Sequence, residues 1–220
     1  MSERENIFTR IREGLSIKAH AHHGSGLPTT LEHRNVMPPV GAAEDEQFAL
    51  FARKASELKA AFRRVKDVTE LTTELGALRD KEKWQRVATH RSEFAQAHAS
   101  GLGLPTLVTD AGYDKLELER CDVGISECDA LIAQTGTVLV TSWSAGGRAL
   151  SCLPPHHVVI AQREQLVSDL PAAFALVKQK YRDDYPSMIS FITGPSRTGD
   201  IERILVLGAH GPKKLTIFCW

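Results

Sequence analysis

The chain has 220 residues, of which 42% are hydrophobic and 25% charged, so it is long and apolar enough to bury a core without disulfide or metal cross-links. Its 27 basic and 27 acidic residues balance to a formal net charge of zero. Because nucleic-acid binding draws on a basic excess, this balance argues against a nucleic-acid partner, and no apolar run is long enough to predict a membrane span.

The four cysteines are spread along the chain at Cys121, Cys128, Cys152 and Cys219. No two of them form the Cys-x-x-Cys pattern that structural zinc and iron–sulfur clusters commonly use, so we expect no metal or cofactor in this chain. The charged N-terminus is not followed by the apolar segment of a signal peptide. We therefore predict a cytoplasmic protein with reduced thiols.

The first part of the chain predicts a helix followed by an arm. Apolar side chains recur at helical spacing within residues 2–15, namely Ile7, Phe8, Ile11 and Leu15. Residues 16–42 lose this periodicity and are interrupted by glycine and proline, which indicates an extended arm. We place the domain boundary after residue 41, so that residues 1–41 form the helix and arm and residues 42–220 form the main domain.

The next segment contains the clearest helical pattern. Acidic residues fill the first turn after residue 43, and apolar residues follow in steps of three and four: Phe48, Phe51, Ala55, Leu58 and Phe62. A second helix is predicted over Val68–Asp80, with its leucines facing inward: Leu71, Leu75 and Leu78. Further predictions are a strand at Trp84–Ala88, a helix at Ser92–Ala99 and a strand at Leu107–Val108.

The second half of the chain alternates short apolar runs with helical segments. Strands are predicted at Ala130–Ala133, Thr137–Thr141, Val158–Ala161 and Leu215–Cys219, with an apolar segment at Met188–Thr193. Helical segments are predicted at Arg148–Leu153, Ala172–Tyr181 and Ile204–Gly208, the last one running into a loop. This alternation predicts an α/β fold with a largely parallel sheet and an antiparallel excursion around Gln134–Gly136.

Three segments combine glycine with hydroxyl side chains or arginine, a composition typical of loops that bind anions through backbone N–H groups and a guanidinium. They are Gln134–Thr137, Ser142–Arg148 and Thr193–Asp200. The third precedes a helix-like segment with Asp200 as its predicted N-cap, but it lacks the Gly-Lys-Ser/Thr of a P-loop. The alternative for the first segment is a hairpin or strand bend whose hydroxyls bond to nearby backbone. For the second it is a flexible loop that ends in a solvated arginine, and for the third an ordinary capped turn. The sequence leaves both interpretations of each segment open.

His210 and two glutamates are the candidate acid–base residues. His210 stands among glycines in Gly208–Pro212, where an imidazole can exchange a proton or contact an anion. Glu127 and Asp129 flank a cysteine just ahead of a predicted strand, and they fit either a catalytic carboxylate pair or solvated strand-end acids. Glu202 follows the third glycine-rich segment. For His210 the alternative is a structural turn histidine.

Three sequence blocks follow one another in the second half of the chain. They are Gln134-Thr-Gly-Thr-Val-Leu-Val140, then Gly147-Arg-Ala-Leu-Ser-Cys-Leu-Pro-Pro155, and then Ile192-Thr-Gly-Pro-Ser-Arg-Thr-Gly-Asp-Ile-Glu202 with Val206-Leu-Gly-Ala-His-Gly-Pro212. In this order the blocks resemble the lactate utilization protein C family, whose domain is called the LUD domain. The likeness covers about residues 120–218 well and the earlier residues in layout only.

The resemblance implies a fold like that of the NagB/RpiA/CoA-transferase group, a three-layer α/β sandwich. It also implies a component of a three-part system that oxidises L-lactate to pyruvate, in which two partner proteins carry the iron–sulfur clusters. Gln134 departs from the family, which has Glu at this position, and an amide cannot act as a base near neutral pH. Gly199 stands where the family often has Ala.

We expect the matching turns to meet at one site, where Arg148 or Arg197 pairs with a carboxylate or phosphate. The predicted ligand-binding residues are Thr135, Gly136, Thr137, Arg148, Gly194, Ser196, Arg197, Thr198 and Gly211, and the predicted catalytic residues are His210, Glu127 and Glu202.

The leading hypothesis is a lactate-utilization component that binds a small anion and partners iron–sulfur proteins. Two alternatives stay open. One is an independent CoA-transferase-like or sugar-phosphate-isomerase-like enzyme, which needs a carboxylate such as Glu127 or Glu202 at its site. The other is a non-catalytic assembly or regulatory subunit that docks through the helix within residues 2–15 and the arm.

Overall fold

The structure is a computed structural model that describes residues 3–16, 37–198, 206–208 and 210–220. It divides into two compact units, Met1–Met37 and Pro38–Trp220. The predicted boundary after residue 41 stays a prediction, and most of the predicted arm lies outside the described residues. Within the described residues, no helix has the length and apolar character needed to cross a membrane.

The helix predicted over residues 2–15 is confirmed as α1 (Glu3–Ser16), and it presents exposed apolar side chains at Ile7, Phe8 and Ile11. In the second unit the described helices are α2 (Glu44–Glu57), α3 (Val68–Glu82), α4 (Glu93–Gly101), α5 (Lys115–Glu119) and α6 (Leu170–Tyr181). Its described strands are β1 (Ala61–Arg64), β2 (Val87–Thr89), β3 (Thr106–Val108), β4 (Val123–Ser126), β5 (Ala130–Ile132), β6 (Thr137–Thr141), β7 (His156–Ala161), β8 (Leu166–Val167), β9 (Ile189–Ile192), β10 (Arg197–Thr198), β11 (Val206–Leu207) and β12 (Lys214–Cys219).

Six strands form a sheet in the order β1-β12-β7-β4-β2-β3, and every neighbouring pair is parallel. The predicted α/β fold with a largely parallel sheet is therefore confirmed. Other elements cover both faces of this sheet, so its central strands are buried, as is usual for parallel sheets. All six residues of β7 are buried.

A second sheet has the order β8-β5-β6-β9. Strands β5 and β6 pair antiparallel across the turn at Gln134–Gly136, which confirms the predicted antiparallel excursion. Strand β9 also runs antiparallel to β6, and β8 runs parallel to β5. The short strands β10 and β11 form a separate antiparallel pair.

The six-stranded sheet is the middle layer of the second unit. On one face it packs against α3 and α4, with Leu71, Leu75 and Leu78 buried as predicted. Its other face packs against α2 and the four-stranded sheet, through Val159, Ile217 and their neighbours. Helix α6 covers the far face of the smaller sheet. Burial of apolar surface in these layers supplies the main driving force for folding.

Helix α2 ends earlier than its apolar spacing predicts. The helix stops at Glu57 and Lys59 adopts a positive φ of 66°, so the chain turns away and Phe62 lies on β1 instead of on the helix. The spacing continued through Phe62 because that ring packs back on the same helix face, with its centroid 4.8 Å from that of Phe51. Phe62 of the strand and the apolar residues of the helix pack together in one core. Their spacing along the sequence therefore looks like that of a single, longer helix.

Two other predicted helical segments are short or wrong where they are described. Arg148–Leu153, predicted as one or two helical turns, forms a single turn, in which the N–H groups of Cys152 and Leu153 both donate to the carbonyl of Ala149. Val206–Leu207 pairs as strand β11 with β10. The helix predicted to begin after Asp200 otherwise lies outside the described residues.

The core between the two sheets should dominate stability. Leu131 is fully buried there, so Leu131→Ala should lower the free energy of unfolding by about 2–5 kcal/mol, as expected for a large-to-small core substitution. Leu116 on α5 is 61% exposed, and Leu116→Ala should change stability by less than about 0.5 kcal/mol. Urea unfolding of both variants measures the difference, and equal effects would contradict this assignment of the core.

Candidate functional site

A cavity of about 200 Å³, here called the amino-end cavity, lies where β7 and β12 begin. Residues of both sheets contribute, since His157 and Leu215 come from the larger sheet and Ser190 and Ile192 from the smaller one. The remaining wall comes from three turns. The lining residues are Ser151, Cys152, His157, Ser190, Ile192, Thr193, Gly194, Pro195, Ser196, His210, Gly211, Pro212 and Leu215.

Two turns predicted to meet are joined at this cavity. The Ser196 N–H donates to the Pro212 carbonyl, and the Gly208 N–H donates to the Ser196 carbonyl, both at 2.9 Å. A Cβ added at Gly211 would lie only 3.1 Å from the Ser196 Cβ, so this close approach favours glycine. The structure thus brings Gly194, Ser196, His210 and Gly211 to one cavity, while their roles in ligand binding stay predictions.

The predicted Thr135–Thr137 turn lies beside this cavity without lining it. The Thr137 hydroxyl is 2.9 Å from that of Thr193, which does line the cavity. Gly136 has a φ of 65° and packs so closely on α2 that an added Cβ would lie 2.5 Å from the Ala55 nitrogen. This packing supports a structural role for the glycine. The Thr135 hydroxyl is buried without a hydrogen-bond partner among the described residues.

The two predicted arginines do not complete an anion site here. The exposed Arg148 donates from its guanidinium to the Ser187 carbonyl at 2.6 Å, and Arg197 donates to the Leu58 carbonyl at the same distance. Neither lines the cavity, and no lysine or arginine does so among the described residues. The expectation of one anion-binding site that contains a guanidinium is therefore corrected, because both arginine side chains instead donate to main-chain carbonyls of neighbouring loops.

His157 is the most deeply buried polar residue that lines the amino-end cavity. Its Nε2 lies 2.9 Å from the Ser126 hydroxyl, while its Nδ1 is buried and has no hydrogen-bond partner among the described residues. Burial, and to a lesser extent the neighbouring His156, lowers the pKa of His157 to about 3. The imidazole is therefore neutral at physiological pH, so it has one N–H and one bare nitrogen.

The three predicted catalytic residues are not brought together. His210 lines the amino-end cavity, whereas Glu127 lines a different cleft. Glu202 lies outside the described residues. So does the side chain of Thr198, whose backbone pairs with that of Val206.

A second and larger concavity of about 560 Å³, here called the carboxyl-end cleft, lies where β2, β3 and β4 end. His90 follows β2, Asp110 follows β3, and Glu127 follows β4. The far wall comes from the β6–β7 connection and the last turn of α6. The lining residues are His90, Arg91, Ser92, Asp110, Glu127, Cys128, Ser142, Trp143, Ser144, Gln165, Lys180 and Tyr181.

The topology of the large sheet favours this cleft as a binding site. The chain leaves β2 towards β3 on one side, and it leaves β4 towards β7 on the other side. The two connections diverge and open a crevice at the carboxyl ends of these adjacent strands. Ligands of open α/β sheets bind at such switch points.

His90 and Glu127 face each other across this crevice. The Glu127 backbone N–H donates to His90 Nε2 at 3.3 Å, and the Glu127 carboxylate lies 3.7 Å from the same nitrogen. Burial lowers the pKa of His90, against the opposing effects of Glu127 and Asp110. A neutral imidazole next to a carboxylate is an arrangement that can exchange protons with a bound ligand.

Asp129 organises the opposite wall of the cleft. Its carboxylate accepts hydrogen bonds from Lys180 and Tyr181 at 2.5 Å and from Ser144 at 2.6 Å. Burial alone would raise the pKa of Asp129, but these three hydrogen bonds outweigh it and lower the pKa below 3.8. The ion pair also outweighs burial at Lys180 and raises its pKa. A permanent ammonium group is therefore fixed at the cleft wall.

Sequence reasoning did not identify His90, Arg91 or Lys180. Each is a single charged or titratable residue at the end of an element, without a motif around it. The interpretation of Asp129 as a solvated acid is wrong, since it is 4% exposed and fully bonded. One signal was available: His90 and Glu127 each follow a short strand directly, but only the strand order shows that the two strands are neighbours.

Within the described residues, no group of three or more His, Cys, Asp or Glu side chains is placed to hold a metal ion. The expectation that this chain has no cofactor of its own stays a prediction.

Comparison with known proteins identifies the family. A model of the LUD domain matches residues 4–219. The chain belongs to the LUD-domain family. Lactate utilization protein C of Bacillus licheniformis is 38% identical over 107 residues, which are 47% of this chain and 45% of that protein. The Anoxybacillus flavithermus protein of the same name is 38% identical over 106 residues, 48% of this chain and 47% of that protein. The matched stretch thus spans about half the length of these relatives.

A LUD-type fold is also seen in a solved structure. The crystal structure of a DUF162 family protein from Deinococcus radiodurans superposes with a TM-score of 0.63, at 19% sequence identity. The superposition covers 81% of this chain and 99% of that one. This likeness concerns the fold alone, and it agrees with the layered α/β architecture described above.

The buried histidines should make stability depend on pH. The pKa of His156 is lowered to about 4 and that of His157 to about 3, against 6.5 for an unperturbed histidine. Below pH 6.5 the unfolded chain binds protons that the folded chain does not. The free energy of unfolding should therefore fall, for each histidine, by up to ~1.4 kcal/mol for every unit by which the pH is lowered. Urea unfolding at pH values between about 7 and about 5 measures this fall.

NMR over the same pH range, about 7 to about 5, reports the protonation of His157 directly. The imidazole nitrogens of His157 should keep the chemical shifts of a neutral ring throughout. Titration of His157 with a midpoint above about pH 5 would contradict the burial described here.

Proposed function

We propose that this LUD-domain chain takes part in L-lactate utilization and binds a small carboxylate metabolite, lactate or pyruvate, in the carboxyl-end cleft. Two relatives that carry the name lactate utilization protein C support the process. The observation that carries the site is the His90–Glu127 pair at the switch point of the sheet, with Arg91 and Lys180 lining the same cleft.

The charges of the cleft suit a molecule that has both an acid and a hydroxyl or keto group. The ammonium of Lys180 and the guanidinium of Arg91 attract a carboxylate. The neutral imidazole of His90 and the Glu127 carboxylate can exchange hydrogen bonds with an adjacent oxygen. Asp129 holds Lys180 in place, so the cation is positioned before the ligand arrives. Lactate and pyruvate have six heavy atoms each, and the cleft has room for either.

Electron transfer requires a partner in this proposal. Conversion of L-lactate to pyruvate releases two electrons and two protons, so an acceptor must be present. As the family resemblance implies, we assign this role to iron–sulfur proteins that work with this chain in the cytoplasm. The exposed apolar side chains of α1, at Ile7, Phe8 and Ile11, suit a docking role, which keeps the assembly hypothesis open.

Removal of either cation should weaken binding. In Arg91→Gln or Lys180→Gln the ligand loses a charge-assisted hydrogen bond worth about 1.5–3 kcal/mol, which corresponds to about a tenfold to hundredfold higher Kd. Calorimetric titration of the purified chain with L-lactate and with pyruvate measures both constants.

The matched control for these variants is Lys178→Gln. This lysine lies on the same helix as Lys180 but not at the cleft, and its variant should keep the wild-type Kd. A wild-type chain that binds neither acid, or equal affinities in all four proteins, would refute the carboxylate site.

A second candidate is an independent isomerase-like or transferase-like enzyme, which the position of Glu127 in the cleft favours. The chain alone should then turn over a sugar phosphate or an acyl-CoA. Glu127→Gln should lower kcat by about 10²- to 10⁴-fold, because a general base is lost. The exposed Glu119 supplies the control Glu119→Gln. Absence of turnover by the wild-type chain across both substrate panels eliminates this candidate.

A further inference from the structure

We propose that a basic pocket beside the end of α3 binds the phosphate group of a small molecule. The pocket is a depression of about 170 Å³ where β1 and β12 begin, and four segments of the chain contribute to its wall. It shares no lining residue with the carboxyl-end cleft, so it does not depend on the lactate proposal. Its charged lining residues are Lys59, Arg63, Lys81, Glu82, Lys213 and Lys214.

The first argument is the concentration of positive charge. Five basic side chains line the pocket against the single acid Glu82, which gives a formal excess of four positive charges among the described residues. His156 also lines it but adds no charge, because burial lowers its pKa to about 4. The whole chain is balanced at 27 basic and 27 acidic residues. The pocket is therefore a local positive field on a chain without net charge, and such fields concentrate anions.

The second argument is that most of this charge has no counter-ion. Lys214 pairs with Glu82, and Arg63 pairs with Glu74. Among the described residues, three lysines of the wall form no ion pair or hydrogen bond through their side chains, namely Lys59, Lys81 and Lys213. Like charges around one depression repel each other, and a bound dianion would replace this repulsion by attraction.

The helix dipole explains only one of these three lysines. Lys81 lies in the last turn of α3, where a cation complements the negative helix end. Lys59 instead lies in the turn between α2 and β1, and Lys213 precedes β12. Three unrelated segments thus bring an unpaired ammonium group to the same depression.

The third argument is that the backbone beneath these lysines is fixed. The Lys59 N–H donates to the Ser56 carbonyl at 2.9 Å, and the Lys213 N–H donates to the Pro155 carbonyl at 2.8 Å. The stem of Lys213 packs so closely on Gly208 that a Cβ there would clash with it. Cations held in this way need less ordering when a ligand binds, which favours affinity.

The surroundings of the pocket limit the ligand to a compact anion. A volume of about 170 Å³ holds about six water molecules at ~30 Å³ each, which is comparable to a phosphate group with the first atoms attached to it. A neighbouring depression shares Lys213 and Lys214, but Glu82 and Asp122 also line it. Their carboxylates repel a longer polyanion such as a nucleic-acid strand.

The charge of the pocket favours phosphate over a carboxylate. A phosphate monoester carries between about 1.5 and 2 negative charges near neutral pH, against one for a carboxylate. It also has three acceptor oxygens, so it can contact several ammonium groups at the same time. Lysine binds phosphate as a point charge, without the fixed geometry that arginine imposes.

The test is calorimetric titration of the full chain with inorganic phosphate and with glycerol 3-phosphate at about pH 8, where the monoester is a dianion. Ionic strength is held constant with NaCl, because salt screens exposed charges. Both probes should bind at one site, and acetate should bind at least about tenfold more weakly. Tighter binding of glycerol 3-phosphate identifies an organic phosphate as the occupant, and equal affinities identify the free ion.

A matched pair of double variants locates the site. Lys59→Gln with Lys213→Gln removes two unpaired cations of the pocket and should raise the Kd for phosphate about tenfold, as expected for partly screened ion pairs. Lys66→Gln with Lys178→Gln removes the same charge from exposed lysines that do not line the pocket. This control should keep the wild-type Kd.

A wild-type chain that binds neither phosphate probe overturns the proposal. Equal weakening in the two double variants also overturns it, because binding would then follow total charge and not the pocket. L-Lactate binding is titrated separately and should be the same in the pocket variant and in the wild type. Failure of the phosphate site is therefore distinguishable from failure of the lactate proposal.

Discussion

The insertion of β12 between β1 and β7 is the constraint on which the architecture depends. It pairs in parallel with both neighbours, and it buries Phe218 on one face of the sheet and Ile217 on the other. Without it, β1 would have no neighbouring strand in the sheet. Because β1 and β12 are far apart in the chain, this pairing forms only after a large loop has closed, at a substantial cost in entropy.

The carboxyl-end cleft and the amino-end cavity, at opposite ends of the same sheet, differ in chemical character. At the carboxyl ends, strand-terminal residues and the last turn of α6 place fixed charges around an open crevice. At the amino ends, two sheets converge on prolines, serines and the buried imidazole of His157. The parallel arrangement produces this separation, since every strand begins at one edge and ends at the other. Each end then has its own set of turns, whose composition can vary without affecting the core.

The sequence predicted elements with a strong apolar period and missed those without one. Strands β5, β6, β7 and β12 are runs of apolar and β-branched residues, and all were found. Strand β1, Ala-Phe-Arg-Arg, and strand β4, with its internal glycine, carry no comparable pattern. The glycine and hydroxyl residues of the turns at Ser196 and His210 were enough to predict that these two turns contribute to one site. The cleft could not, because His90, Glu127 and Lys180 become neighbours only through the order of strands and the position of α6.

A single imidazole ring links the two regions. His157 lines the amino-end cavity and its Nε2 lies 2.9 Å from the Ser126 hydroxyl, and the next residue after Ser126 is Glu127 of the cleft. One peptide unit therefore separates the groups that serve opposite edges of the sheet. Any rearrangement that pulls on Ser126 is transmitted to the carboxylate through covalent bonds, and the converse holds equally.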